Sequence, residues 1–151
     1  MQPEALSEIQ DFLELTPFLL TAGQPLEEQI PLISQAGCQV VINLATAASP
    51  DWIPDERERC QTLGLDYISI PVEWTSPRSE DLRRYFDALV SNHERKVFVH
   101  CARNMRVSAF TFLYRVVVLQ ENETACRVDL DKIWQPNEVW DQFIQETLGK
   151  R

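Results

Sequence analysis

Stretches with the pattern of buried strands alternate along this chain with stretches that have the pattern of helices. "CQVVINLA" (38–45) is a continuous apolar run with β-branched residues, and "LDYISI" (65–70) and "KVFVH" (96–100) are shorter strand-like runs. Continuous apolar runs are typical of strands covered on both faces of a parallel sheet. Strands that alternate with helices favour an α/β fold in three layers, with a mainly parallel central sheet flanked by helices.

The remaining segments complete this alternation. "PFLLTAG" (17–23) predicts a first strand. Helix boundaries are predicted from glycines at the ends of stretches with helical spacing of apolar residues, and from a proline near the start of one such stretch. We expect helices over 25–37, 54–64, 79–92, 106–120, 124–134 and 137–149. The chain has no internal repeat and no Gly- or Ser-rich linker, so we expect residues 1–151 to form a single domain.

The stretch "VFVHCARNMRVSAF" (97–110) places a thiol between a predicted strand and a predicted helix. Cys101 directly follows the strand, and Arg103 and Arg106 lie in the short loop behind it. Ligands of parallel sheets bind at the carboxyl ends of the strands. A loop that leads into a helix N-terminus offers free backbone N–H groups and a partial positive charge, which together hold anions. A thiol there loses its proton readily and becomes a strong nucleophile.

Composition excludes several other classes of function. The net charge of −9 argues against nucleic acid as a partner, because phosphate contacts need an excess of Lys and Arg. No apolar run reaches the ~20 residues of a membrane span. Four scattered cysteines and two histidines, without a ligand pair at metal-binding spacing, argue against a zinc site. We expect no metal and no cofactor.

Four phrases of the sequence resemble a known family. "LTAGQP", "VVINLA", "LDYISIPVEW" and "HCARNMRVSAF" together resemble a bacterial branch of the dual-specificity-like phosphatases, which belong to the protein-tyrosine-phosphatase-like proteins. The resemblance covers about residues 15 to 145. It implies a tyrosine-phosphatase-like α/β fold and a Cys-dependent phosphatase that hydrolyses phosphomonoesters. It also implies two steps, in which Cys attacks phosphorus and water then hydrolyses the phosphocysteine.

The resemblance assigns roles to single residues. Cys101 matches the nucleophile, His100 matches the His that supports the loop and the thiolate, and Asn104 stands where the family usually has Gly. Arg106 corresponds to the arginine that grips the phosphate. The residues expected to bind the anion or to form its loop are His100, Ala102, Arg103, Asn104, Met105, Val107 and Ser108.

The spacing between the thiol and the arginine departs from the family pattern. The family has five residues between Cys and Arg, whereas Cys101 and Arg106 enclose four. Aligned without a gap, Val107 and Ser108 take the positions of the Arg and the Ser/Thr. One residue at a helix start corresponds to about 100° of rotation. Either the loop is one residue shorter and Arg106 still points inward, or the arginine is displaced.

Three functions are compatible with this loop. The first is a phosphatase, and the second is a sulfurtransferase or redox enzyme that uses the same thiol, because a four-residue spacing resembles the rhodanese loop. The third is an anion-binding module with weak turnover. The flanking phrases, and a His before the Cys, favour the phosphatase. The expected partner is phosphate or another tetrahedral oxyanion, carried by a phosphorylated substrate of unidentified type.

The general acid of a phosphatase is expected in the loop "PVEWTSPRSED" (71–81). Glu73 is the first choice, because it follows the "PV" that resembles the family's approach to its acid. Asp81 is expected in the first turn of the next helix, where a carboxylate suits the helix dipole. The first residues have no signal-peptide pattern, so a cytoplasmic location is expected, with the periplasm as the alternative if the chain is a trimmed mature form.

Overall fold

The computed structural model describes residues 5–151, and the first four residues of the predicted domain lie outside this range. Within it, five strands form one sheet in the order β1-β2-β5-β3-β4, which is parallel except for the antiparallel edge strand β1. The strands are β1 (Leu13–Thr16), β2 (Leu19–Ala22), β3 (Val40–Asn43), β4 (Asp66–Ser69) and β5 (Val97–His100). The α-helices are α1 (Ile30–Gln35), α2 (Glu56–Thr62), α3 (Ser79–Ser91), α4 (Met105–Leu113), α5 (Glu123–Ile133) and α6 (Glu138–Gly149).

The sheet separates two hydrophobic cores. Val97 and Val99 of β5 face the core that also holds buried residues of α3 to α6. Phe98, between them, faces the second core with residues of α1 and α2. This alternation follows from the two-residue period of a strand, and it explains why the run is apolar throughout. The predicted three-layer α/β architecture is confirmed.

Several boundaries differ from those predicted. The sequence does not predict β1, whose residues are alternately half-buried and exposed because it lies at the edge of the sheet. The segment predicted as a helix over 25–37 contains a 3₁₀ turn (Glu27–Gln29) and then α1, so Pro31 lies in the first turn, where its missing N–H costs nothing.

The helix predicted over 106–120 is also divided. It begins at Met105, and after Leu113 it continues as a π-helical turn, Tyr114–Val118. In the part of the chain that the structure describes, no helix combines the length and apolarity needed to cross a membrane.

Candidate active site

Cys101 follows β5, the central strand of the sheet, and lines a cavity of about 410 Å³. Only 1% of its surface is exposed, so the thiol lies at the inner end of that cavity. The other walls come from residues in the loops 46–50 and 73–75, which follow β3 and β4. Three loops at the carboxyl ends of neighbouring parallel strands therefore enclose the thiol, as expected for a ligand site of such a sheet.

The loop 102–104 is pinned to the end of β2. The N–H of Gln24 donates to the carbonyl oxygen of Ala102 (3.0 Å), and Arg103 pairs with Gly23 in an isolated bridge. Any residue other than glycine at position 23 would place its Cβ only 2.7 Å from that Ala102 oxygen. The close approach of two backbone segments therefore requires glycine at this position.

Asn104 turns the loop into α4. Its φ of 65° lies in the left-handed region, which Asn tolerates better than most residues, and this accounts for Asn where the resembling family has Gly. Its amide nitrogen donates to the carbonyl oxygen of Asp11 (2.9 Å) and to Thr21 Oγ1 (3.0 Å). Asn104 does not cap the helix with its side chain. The N–H groups of the first turn of α4 therefore remain available to an anion.

Arg106 lies in that first turn and lines the same cavity as Cys101. Its Nη1 donates to the carbonyl oxygen of Val72 (2.9 Å) and its Nη2 to Ser49 Oγ (3.2 Å). The other three N–H donors of the guanidinium have no partner among residues 5–151. The loop is thus one residue shorter than the family pattern, and Arg106 points inward rather than away.

Glu73 contributes the one carboxylate among the described residues that line the cavity. The adjacent Trp74 is 38% exposed and forms part of the wall. Its ring packs at 5.4 Å from Trp134 and 5.9 Å from Trp140, and Trp140 Nε1 donates to its carbonyl oxygen (2.8 Å). Trp134 and Trp140 therefore hold Trp74, and with it the loop that carries Glu73. Asp81 lies in the first turn of α3, as expected.

His100 supports the loop from behind and does not line the cavity. Its Nδ1 lies 3.2 Å from the carbonyl oxygen of Cys101, and its Nε2 lies 2.7 Å from Glu56 Oε2. Glu56 is only 3% exposed. It also accepts hydrogen bonds from Gln24 (2.7 Å), Tyr67 (2.7 Å) and Asn43 (3.3 Å). Burial raises the pKa of Glu56, but the charge of His100 and these hydrogen bonds outweigh it and lower the pKa to about 2.

Glu56 was not among the residues predicted from the sequence, although the sequence contains a signal for it. Glu56 and Cys60 are four residues apart in the predicted helix over 54–64, so they share one face of it, and Cys60 on that face is apolar and buried. A carboxylate on an apolar face must be paired to be buried. What the sequence does not reveal is which residues of other elements pair with it.

Four residues expected to bind the anion have side chains that face elsewhere: His100 and Asn104, described above, and also Val107 and Ser108. Val107 is fully buried in the core, and Ser108 donates to the carbonyl oxygen of Met105 (2.9 Å) while accepting from Trp134 Nε1 (3.1 Å). Neither lines the cavity, and of the two only the N–H of Val107 belongs to the uncapped first turn. Ala102, Arg103 and Met105 do line the cavity, with the side chain of Arg103 exposed.

The fold is shared with solved phosphatase structures. A candidate phosphatase of the DUF442 family from Shewanella putrefaciens CN-32 is 35% identical, with 96% of this chain and 95% of that chain covered and a TM-score of 0.85. A scan of the sequence against protein-family models finds no match, and neither does a search of the curated proteins.

More distant structures show the same fold alone. The core catalytic domain of the PP-IP phosphatase SIW14 from S. cerevisiae is 15% identical, with 91% of this chain and 85% of that chain covered and a TM-score of 0.74. P. aeruginosa TpbA, in complex with pTyr, is 18% identical over 85% of this chain and 75% of that chain, with a TM-score of 0.67. The predicted phosphatase-like fold is confirmed.

Proposed function

This chain belongs to the DUF442 family of candidate phosphatases, and we propose that it hydrolyses phosphomonoesters through a phosphocysteine intermediate on Cys101. The proposal assigns Cys101 as nucleophile, Arg106 and the first-turn N–H groups of α4 as the phosphate cradle, and Glu73 as the general acid. These groups all border one cavity.

The observation that best supports this proposal is the buried charge of Arg106. Its side chain is almost inaccessible, with 5% of the residue exposed, and among residues 5–151 no carboxylate forms a salt bridge with it. Buried charges in proteins are normally paired, because an uncompensated one costs several kcal/mol. The Arg106 guanidinium, held by one carbonyl and one hydroxyl beside a thiol, is therefore placed to pair with an anionic ligand that enters the cavity.

The first step transfers the phosphoryl group to the enzyme. The Cys101 thiolate attacks phosphorus and forms an S–P bond, while the bond between phosphorus and the ester oxygen breaks. The carboxyl of Glu73 gives its proton to the departing oxygen, so the product leaves as a neutral alcohol or phenol. Arg106 and the backbone N–H groups hold the three non-bridging oxygens, whose charge they stabilise throughout the transfer.

The second step restores the enzyme. Water attacks the phosphorus of phosphocysteine, and the Glu73 carboxylate takes a proton from that water. The S–P bond breaks, inorganic phosphate leaves, and Cys101 is again a thiolate. Glu73 thus serves as acid in one step and base in the other, which suits an exposed carboxylate that lines the cavity.

The decisive experiment is to trap the intermediate. The protein is mixed with a ³²P-labelled aryl phosphate and denatured rapidly in alkaline detergent, which preserves an S–P bond, and the label should appear on the peptide that contains Cys101. Cys101→Ser should remove both the label and turnover. Turnover without any label on Cys101 would refute the mechanism.

Arg106 provides the second test. Arg106→Ala should weaken phosphate binding by about 2–3 kcal/mol, the size of a charge-assisted hydrogen bond left unmade. Arg103→Ala is the matched control, because Arg103 is exposed, and it should cost less. Equal losses in the two variants would contradict the assignment of Arg106 to the phosphate cradle.

The spacing of four residues between Cys101 and Arg106 keeps sulfur transfer as a second candidate. The same protein is therefore assayed with thiosulfate as sulfur donor and cyanide as acceptor. A phosphatase should ignore thiosulfate. Sulfur transfer without hydrolysis of aryl phosphate would replace the proposed function. Phosphate binding with neither activity would leave an anion-binding module.

A further inference from the structure

We propose that His100 is a buried imidazolium, protonated on both ring nitrogens, and that Glu56 is a positioning residue that holds it in this state behind Cys101. The proposal concerns the site to which phosphatase activity is assigned above and deepens that proposed function. It depends on which atoms of the network can donate a proton and which can only accept one.

The carboxylate of Glu56 acts only as an acceptor. Asn43 Oδ1 accepts from the N–H of Ala45 (2.9 Å), so the amide nitrogen of Asn43 must face the other way, toward Tyr67 and Glu56. Tyr67 accepts from that nitrogen (2.9 Å), which leaves the hydroxyl proton of Tyr67 to be donated to Glu56 (2.7 Å). These contacts leave no place for a proton on this side of the carboxylate.

The second oxygen of the carboxylate is equally occupied. Gln24 Nε2 donates to Glu56 Oε1 (2.7 Å), and the same nitrogen lies 3.2 Å from the carbonyl oxygen of Pro25. A nitrogen placed between two oxygens fixes the orientation of the amide. Glu56 is therefore ionised and buried, and it accepts from three other segments of the chain, at Gln24, Asn43 and Tyr67, in addition to its contact with His100.

Both ring nitrogens of His100 face acceptors. Nε2 faces the ionised Glu56 at 2.7 Å, and Nδ1 faces the carbonyl oxygen of Cys101 at 3.2 Å. A neutral imidazole carries only one N–H. Its other nitrogen would then point its lone pair at the lone pair of an oxygen, which is repulsive. Only the imidazolium donates to both. The ring thus bridges a buried carboxylate and the main chain of the nucleophile.

This arrangement places a fixed positive charge in the residue next to the thiol. Glu56 compensates this charge, so the ion pair can remain buried. The Nδ1–H side of the imidazolium still faces the main chain of Cys101. The titratable groups that face Glu56 are His100, Tyr67 and Cys60, and burial keeps Tyr67 and Cys60 neutral by raising the pKa of each. A cation beside a thiol favours the thiolate.

Nitrogen-15 NMR of the histidine-labelled wild-type protein tests the protonation state directly. The chain has two histidines, His93 and His100, and His93→Gln assigns their signals. At about pH 7.5 an ordinary exposed imidazole is largely neutral. His100 should show two protonated nitrogens, one of them coupled through its hydrogen bond to Glu56. One protonated and one bare nitrogen would overturn the proposal, without any substrate being involved.

Glu56→Gln tests the positioning role. The variant keeps the shape of the side chain and removes its charge, so His100 should lose one proton. Alkylation of Cys101 by iodoacetamide should slow at least tenfold near about pH 6.5 and approach the wild-type rate near about pH 10. A purely structural defect would slow alkylation at both pH values, and that result would contradict the proposed role.

Two controls separate the charge from the fold and from the activity. Tyr67→Phe removes one donor to Glu56 but keeps the ion pair, so it should retain the doubly protonated His100 signal. Glu58→Gln, an exposed position of α2, should change neither the signal nor the alkylation rate. A doubly protonated His100 in a protein that cleaves no aryl phosphate would refute the proposed function alone. A neutral His100 in an active phosphatase would refute this inference alone.

Discussion

The four thiols of the protein differ in what surrounds them. All are buried and free, and burial raises the pKa of Cys38 to about 11 and that of Cys60 to about 12. Burial also raises the pKa of Cys126. Cys101 alone lines the cavity, at a helix N-terminus beside Arg106. Its surroundings therefore favour reaction, whereas those of the other three oppose it.

We expect iodoacetamide at neutral pH to modify Cys101 at least ~10-fold faster than the other three cysteines. Peptide mass spectrometry after timed quenching gives the four rates. Inorganic phosphate, bound over the thiol, should slow the reaction at Cys101 and leave the others unchanged. If Cys101 reacts no faster than Cys60, the thiol is not activated and the nucleophile has been assigned wrongly.

Glu73 is expected to act only when the leaving group needs a proton. A phenol of low pKa departs as its anion, so Glu73→Gln should reduce kcat little with such a substrate. With a poor leaving group the loss should grow to about 10²- to 10⁴-fold. A series of aryl phosphates, assayed with wild type and variant, gives the slope. The same loss across the series would indicate that Glu73 has a structural role or that another group is the acid.

The stability contributed by Glu56 should depend on pH. Because its pKa falls to about 2 in the folded protein, below its ordinary value of 4.5, its contribution is complete above about pH 5 and is lost as the pH falls toward 2. Wild type should lose roughly 3 kcal/mol more than the double variant Glu56→Gln/His100→Gln over this interval, because neither partner of the buried pair titrates in that variant. Urea unfolding of both proteins at a series of pH values measures the difference. A constant difference would mean that Glu56 is not held ionised.

At the level of elements, the end of β2 and the Cys loop are fitted to each other through Gly23. A Cβ at this position would lie 2.7 Å from the Ala102 oxygen and 3.1 Å from the Cα of Arg103, and both are backbone atoms that cannot rotate away. Gly23→Ala should therefore displace the loop and destabilise the protein by about 1–3 kcal/mol. Phosphate affinity, measured by calorimetry, should fall at least tenfold.

Gly149→Ala is the matched control for this substitution. Gly149 lies in α6, and a Cβ there meets no atom within 4 Å. Alanine favours a helix over glycine, so the control should be neutral or slightly stabilising. If Gly23→Ala binds phosphate as tightly as this control, the bridge between β2 and the loop does not shape the site.

The elements that could be predicted are those whose pattern is set by burial on both faces. β3 and β5 were recognisable because short apolar runs rich in β-branched residues are typical of buried strands, and Cys101 because it follows such a strand. β1 could not be recognised, since an edge strand exposes half of its residues and shows little pattern. The partners of Glu56 come from four separate segments of the chain, so only the fold reveals that they meet.

The direction of Arg106 illustrates the same limit. Its spacing from Cys101 is plain in the sequence, but the sequence allowed an arginine turned inward or away. The contacts with Val72 and Ser49, on the loops after β4 and β3, fix the guanidinium in the cavity. Neither loop has a regular sequence pattern from which its contact with α4 could have been predicted.

For the molecule as a whole, we propose a single domain organised around one sheet. Both cores include residues of β3 and β5, so neither half can be removed without exposing the other. The cavity lies at the carboxyl ends of the parallel strands, and Arg103, Arg106 and Glu73 are among the residues that line it. The surrounding chain is strongly acidic, with a net charge of −9. Within this negative molecule, two arginines and one carboxylate are the charged side chains among the described residues that line the cavity.

This distribution of charge should discriminate between phosphate esters that differ only in a charged group remote from the phosphate. An anionic group remote from the phosphate meets the repulsive field of the whole chain, whereas a cationic group is attracted by it. We therefore compare two phenyl phosphates that carry a para carboxylate or a para aminomethyl group. At low salt kcat/KM should favour the aminomethyl substrate, and the ratio should fall as the ionic strength rises.

The dependence on salt separates the field from the chemistry. The two phenols differ in leaving-group pKa, but that difference does not change when salt screens charges beyond a Debye length of about 10 Å at 0.1 M. The change in the ratio with salt therefore reports the field alone, and it should exceed threefold between about 0.01 and 0.5 M salt. A ratio that is independent of salt would contradict this expectation, because it would mean that the charge of the acidic chain does not influence which substrates reach Cys101.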